Sequence, residues 1–163
     1  MSSKEHVHNL MAEIGPLLEL MQITESAEGN SWLLVVDEET AIDLDYNEMR
    51  NRVILAGEVG LPADENRYGF YETILQYNYL WEETDGLKMA LDGPAGNVWI
   101  MFDTTASDLD ISMLQTVIVN FCETLRSWRE AMKEEKLEGG SVENEPGSTP
   151  QSETNLMPGA LKV

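Results

Sequence analysis

From Val7 to Met21 the large apolar side chains fall at Val7, Leu10, Met11, Ile14, Leu17, Leu18 and Met21, the three-and-four spacing that lines them along one side of a helix. Gly15-Pro16 sits inside the run, so the pattern predicts an amphipathic helix with a kink or a restart at the proline. After the breaker Glu28-Gly29-Asn30 the period changes. Trp32 to Val36 is a continuous β-prone run, expected as a buried strand. Ala41 to Tyr46 alternates Ile42, Leu44 and Tyr46 with Asp43 and Asp45, a strand with one wet face, and Arg52 to Val59 supplies a third strand stopped by Gly60-Leu61-Pro62. Three strands joined by short turns predict an antiparallel meander.

A second helix is expected from an N-cap at Asp64 to near Trp81, with Tyr68, Tyr71, Leu75 and Tyr79 along one side. A hairpin follows, Leu87 to Leu91 and Val98 to Phe102 around a turn at Gly93 to Gly96. Ser107 and Asp110 form a capping-box-like opening to a last helix that carries Ile111, Leu114, Ile118, Phe121, Cys122, Leu125 and Trp128 in register. Beyond Leu137 the text is Gly, Ser, Glu, Pro and Thr until Leu156-Met157, which predicts a disordered acidic tail. The expected organisation is one α+β domain over residues 1–136 and a tail over 137–163. The domain is read as an antiparallel sheet of about five strands with three helices, in the order α-β-β-β-α-β-β-α.

Composition agrees with one folded domain: 163 residues, 42% hydrophobic and 25% charged. Charge narrows the partners. Thirty acidic against ten basic residues give a net charge of −20, which repels phosphate backbones and anionic membranes and argues against nucleic-acid binding. The single Cys122 allows no intrachain disulfide, which fits a reducing cytoplasm. Met1 to Leu10 lacks a basic-then-apolar leader, and no apolar run approaches the ~18 residues of a membrane span.

Candidate chemistry is thin. His6 and His8 are two apart on a helix, so they face different ways and do not form a chelating pair. Asp43 with Asp45 and Asp108 with Asp110 read as a wet strand face and a helix cap rather than cation sites. Cys122 lies on an apolar stripe, Gly93-Pro94-Ala95-Gly96 lacks the lysine of a phosphate loop, and Glu38-Glu39 and Glu82-Glu83 sit in turns. No catalytic residue, metal or cofactor is expected; what remains is apolar surface suited to partners.

Several strings together resemble a known family. They are Val36-Asp37-Glu38 with the alternating Ile42 to Tyr46, the stretch Val53 to Pro62, Leu75 to Leu91 with Asn78, Leu80 and Gly86 in order, and Leu109 to Met132 with Trp128 near its end. The chain resembles the class I type III secretion chaperones, the Tir-chaperone-like family, over about residues 5–135. The resemblance implies a bacterial cytoplasmic homodimer joined through the second helix and the strand after it, at Tyr71, Leu75, Tyr79, Leu87 and Met89. It also implies that the N-terminal segment of a secreted effector docks on Leu10, Ile14, Leu18, Leu33, Val35, Leu44, Val53 and Leu55, with backbone pairing at a sheet edge. The segment would stay unfolded and soluble until a secretion ATPase or sorting platform removes it, with no bond made or broken. Three other readings stand beside it: a regulatory module of the same fold that sequesters a regulator of secretion genes, a metal-dependent enzyme using the acidic pairs, and a protein of the same fold outside secretion.

Overall fold

The computed structural model of the chain describes residues 3–139, and side chains over residues 3–134. It is a two-layer α+β fold: a six-stranded antiparallel sheet with three helices on one face. The helices are α1 (Ser3–Leu17), α2 (Arg67–Tyr79) and α3 (Ile111–Gly139), and the strands are β1 (Gln22–Glu25), β2 (Ser31–Val35), β3 (Ala41–Asn47), β4 (Arg52–Gly60), β5 (Lys88–Leu91) and β6 (Val98–Thr105). The sheet order is β1-β2-β3-β4-β6-β5. The α-β-β-β-α-β-β-α reading therefore holds with one added strand. β1 escapes the sequence pattern because four residues with the single apolar Ile23 show no alternation, and Glu28-Gly29-Asn30 is part of the hairpin turn into β2.

Register fixes which side chains share the inner face. Trp32 pairs Leu44, Leu44 pairs Leu55 and Leu55 pairs Phe102, while Gly57 pairs Ile100 and Ile100 pairs Met89. On these rows lie Val7, Leu10, Met11 and Ile14 of α1, Phe70, Ile74 and Tyr77 of α2, and Leu114, Ile118, Phe121, Leu125 and Trp128 of α3, all buried. Trp128 joins the two later helices. Its ring meets Phe70 and Tyr77 edge-on, with centroids 5.8 and 5.2 Å away.

Three local expectations change. Pro16 does not restart α1; it lies in the last turn of one continuous helix. That turn closes with Leu20 N–H donating to Gly15 O (3.0 Å) and Glu19 N–H to Pro16 O (3.4 Å), Glu19 being left-handed at φ 51°. Gly15 is there for contact, since a Cβ on it would stand 2.8 Å from Ile23 Cδ1, the one apolar side chain of β1. α2 starts at Arg67 rather than after Asp64, whose carboxylate pairs with the Arg67 guanidinium. The cap of α3 is Asp110 and not Ser107: Asp110 Oδ1 accepts from Met113 N–H at 2.8 Å, and Ser107 belongs to the 3-10 turn Ala106–Asp108. α3 runs to Gly139, past the expected boundary at 136, and the rest of the expected tail, 140–163, lies outside the described residues.

Candidate binding surface

With all three helices on one face, the other face of the sheet carries the alternate residues. Its central row is Leu33, Asp43, Ala56, Met101 and Lys88, each paired to the next across the strands. Beside it runs Ser31, Asp45, Ile54 and Asp103. Leu33 is 41% exposed, and Val35, Ala41, Ile54, Ala56, Trp99 and Met101 are half-buried, so the face sets apolar side chains among its charges, with no layer of the described residues over it. Burial raises the pKa of the Asp43 carboxyl, and the neighbouring Asp45 charge adds to the shift. Asp103 is held below the ordinary range, first by the hydrogen bond from Lys88 and then by that from Arg52, against the opposing pull of burial.

The two edges of the sheet differ. At β5 the Asn78 side chain of α2 acts as a strand would: Asn78 Nδ2 donates to Met89 O (2.9 Å) and Met89 N–H donates to Asn78 Oδ1 (2.8 Å). Both backbone groups of Met89 are thereby satisfied, and α2 covers that edge. β1, at the opposite end, has a sheet neighbour on one side only among the described residues. Its open side can accept an extended segment.

A third surface is the outer side of α2. Tyr68 is 88% exposed, Leu75 68%, Tyr79 83% and, just after the helix, Trp81 69%. Of the side expected to carry Tyr68, Tyr71, Leu75 and Tyr79, all but the half-buried Tyr71 face solvent, and Phe70, Ile74 and Tyr77 do the core packing. Between the end of α2 and β5 lies a groove of about 700 Å³ whose walls include Asn78, Trp81, Glu82, Ala90 and Met101.

The candidate residues divide accordingly. Leu10, Ile14, Leu44, Val53 and Leu55 are buried in the protomer core, so their side chains have no surface to offer a segment, whereas Leu18 and Val35 are half-buried and Leu33 is exposed. The open face is instead completed by Ile54, Ala56, Trp99 and Met101, which the sequence reading did not single out. Among the candidates for subunit contact, Leu87 and Met89 are buried and the half-buried Tyr71 donates its hydroxyl to Gly96 O at 3.1 Å, leaving Leu75 and Tyr79 exposed, with Tyr68 and Trp81, not marked for that contact, exposed beside them.

Reactive groups are engaged in the fold. His6 Nε2 lies 2.8 Å from Leu109 O and His8 Nε2 2.9 Å from Gly29 O. Burial pushes the Cys122 thiol up to about 11, so it stays protonated at neutral pH. Among the described residues no group of three His, Cys, Asp or Glu side chains is placed to hold a metal ion, and no helix is long and apolar enough to cross a membrane.

The sequence profile of the Tir chaperone protein (CesT) family matches residues 9–129, which takes in the later part of α1, the whole sheet, α2 and most of α3. The chain belongs to the Tir chaperone (CesT) family. Solved structures carry the same fold. The ExsC–ExsE complex contains a chain with a TM-score of 0.68 at 20% identity, over 81% of this chain and 97% of that one. The HopA1–SchA chaperone–effector complex gives 0.66 at 18% identity, over 80% and 98%. The Yersinia pestis type III secretion chaperone SycH, solved with a fragment of YscM2, gives 0.58 at 16% identity, over 74% and 97%. No curated protein sequence matches the chain. Asn78, singled out in the family-like string, here has a physical role as the closure of the β5 edge.

Proposed function

We infer that this CesT-family chain is a type III secretion chaperone: it holds the N-terminal segment of one or more secreted effectors in a soluble, secretion-competent form. The observation that carries the reading is the family match over residues 9–129, on a fold shared with a chaperone solved with its effector. The architecture supports it. Among the described residues, a sheet face that no layer covers, a free edge at β1 and an edge closed by Asn78 at β5 provide docking area and a place for strand addition, at β1. Among the candidate docking residues, Leu18, Leu33 and Val35 keep accessible surface for such a segment, and Leu10, Ile14, Leu44, Val53 and Leu55 hold up the sheet beneath it.

The working form is a homodimer, with the outer side of α2 as the subunit contact through Leu75 and Tyr79. An exposed row of Tyr68, Leu75, Tyr79 and Trp81 on one helix is a large apolar patch for a lone protomer. The dimer works in the bacterial cytoplasm and passes its cargo to the secretion ATPase or sorting platform. Its action is physical, with binding energy spent on keeping a segment extended and shielded from aggregation.

Co-expression of the full chain with the N-terminal segments of effectors encoded in the same genome, followed by size-exclusion chromatography with light scattering, tests this. Two copies of the chain carrying one segment is the expected result. A monomer that retains no effector segment sinks the reading, and retention of a DNA-binding regulator instead would move the protein to the regulatory reading.

A further inference from the structure

The acidic residues of this chain are mostly solvated, but two stand in an unusual place. Asp43 and Asp45 are on β3 and point to the open face: Asp43 lies between Leu33 and Ala56 in the register, and Asp45 between Ser31 and Ile54. Asp43 is half-buried. The ion pairs among the described residues pass both by: Arg52 and Lys88 are taken by Asp103, and Arg126 by Asp37. Two like charges on one face of a strand, two residues apart, with Asp43 half-buried and Asp45 exposed, oppose folding of the free protomer. A bound cation between them removes that cost and gains a charge-assisted contact in a site from which the partner also excludes water.

Resting on the reading of the chain as an effector chaperone, we propose that the open sheet face selects a segment that places Lys or Arg over Asp43 and Asp45, with apolar side chains seated on Leu33, Ile54, Ala56 and Met101. The complementarity is of charge as well as shape. A chain of net charge −20 attracts basic segments from a distance, and here two carboxylates outside the ion pairs of the described residues stand on a face that also carries Leu33, Ile54, Ala56 and Met101. A purely apolar segment would leave both carboxylates buried without a partner, and an acidic one would add repulsion, so the pair rejects wrong cargo as well as holding the right one.

The probe is the effector N-terminal segment retained in the co-expression experiment, titrated against the full-length chain. Asp43→Asn with Asp45→Asn is expected to weaken binding at least tenfold at low ionic strength and to flatten its dependence on salt. Thermal unfolding of the same variant is expected at or above the wild-type temperature, since it removes an uncompensated charge pair. Changing the Lys and Arg of the segment to Gln, which leaves the chaperone untouched, is expected to give the same loss without further loss in the double variant. Asp43→Lys should recover binding to a segment whose Lys or Arg is replaced by Glu. Equal affinity and equal salt dependence for wild type and variant overturn the proposal while leaving the chaperone reading intact. Failure to retain any segment overturns that reading and the proposal with it. If Leu33→Asp halves the mass of the free protein in light scattering, the face belongs to a second copy and the proposal falls.

Discussion

Gly57 shows how closely a single residue ties the layers together. At Gly57 the backbone of β4 passes under α3 so tightly that an added Cβ would stand 2.8 Å from Leu125 Cδ2 and 3.1 Å from Phe121 Cε1. Both neighbours are buried, and Leu125 is fully so. Ala can be met by a small rotation of the leucine tip, but Val adds two branches into a filled space. Gly57→Val is therefore expected to cost roughly 1–3 kcal/mol by overpacking, read as a lower urea midpoint at unchanged slope. The same strand shows why side-chain facing is hard to read from sequence. In β3 the alternation of Ile42, Leu44 and Tyr46 with Asp43 and Asp45 declares its buried phase, and the structure follows it. In β4 both phases are apolar, with Val53 and Leu55 facing in and Ile54 and Ala56 facing out. Nothing in that pattern says which phase is core, so Val53 and Leu55 pass equally well for binding residues until register assigns them. Leu33 and Leu34 pose the same problem in β2.

Among the elements, the β2–β3 hairpin is clipped to α3 by two arginines one helical turn apart. Arg126 donates through Nη2 to Asp37 Oδ2 (2.6 Å) and through Nε to Thr40 Oγ1 (3.3 Å). Arg129 donates to the carbonyls of Glu39 (2.8 Å) and Glu58 (2.7 and 2.9 Å). The hydrogen bond from Arg126, followed by that from the Glu39 N–H, brings the Asp37 carboxyl down to about 2 from 3.8. A carboxyl depressed by folding stabilises the native state above its unfolded pKa and loses that contribution as pH falls through 3.8 toward 2. The pair is solvent-accessible, so its worth is below about 1 kcal/mol. Asp37→Asn is expected to lower the unfolding free energy by that small amount at pH 7, and the difference from wild type should close as denaturation is repeated at pH 4, 3 and 2. A difference that persists unchanged at pH 2 would assign the effect to the turn rather than to the ion pair. Helices and long strands were legible because each carries several apolar residues at its own period. β1 was not, since its place comes from pairing with β2 and from one contact of Ile23 on Gly15. Neither shows in a four-residue string.

At the scale of the whole molecule, charge and stickiness pull in opposite directions. A net charge of −20 makes two copies repel, while Tyr68, Leu75, Tyr79 and Trp81 offer apolar area on α2 that the protomer does not use. The sequence revealed the charge at once. It revealed the aromatic load of α2 but not its direction, because that helix has apolar residues on both sides and Phe70, Ile74 and Tyr77 are enough for the core. Subunit contact was thus expected through the family resemblance, and only Leu75 and Tyr79 of the five residues so marked stand well exposed. These two allow a clean test, since in the protomer they support little. Leu75→Asp with Tyr79→Asp is expected to leave the circular dichroism spectrum unchanged and to shift monomer stability by no more than roughly 0.5 kcal/mol per site. In light scattering the same variant should have half the wild-type mass. Because the attraction is apolar and the copies share a sign of charge, raising salt should tighten wild-type association by screening the repulsion. Weakening by salt would instead mean that ion pairs hold the interface, and an unchanged mass for the variant would remove α2 from it.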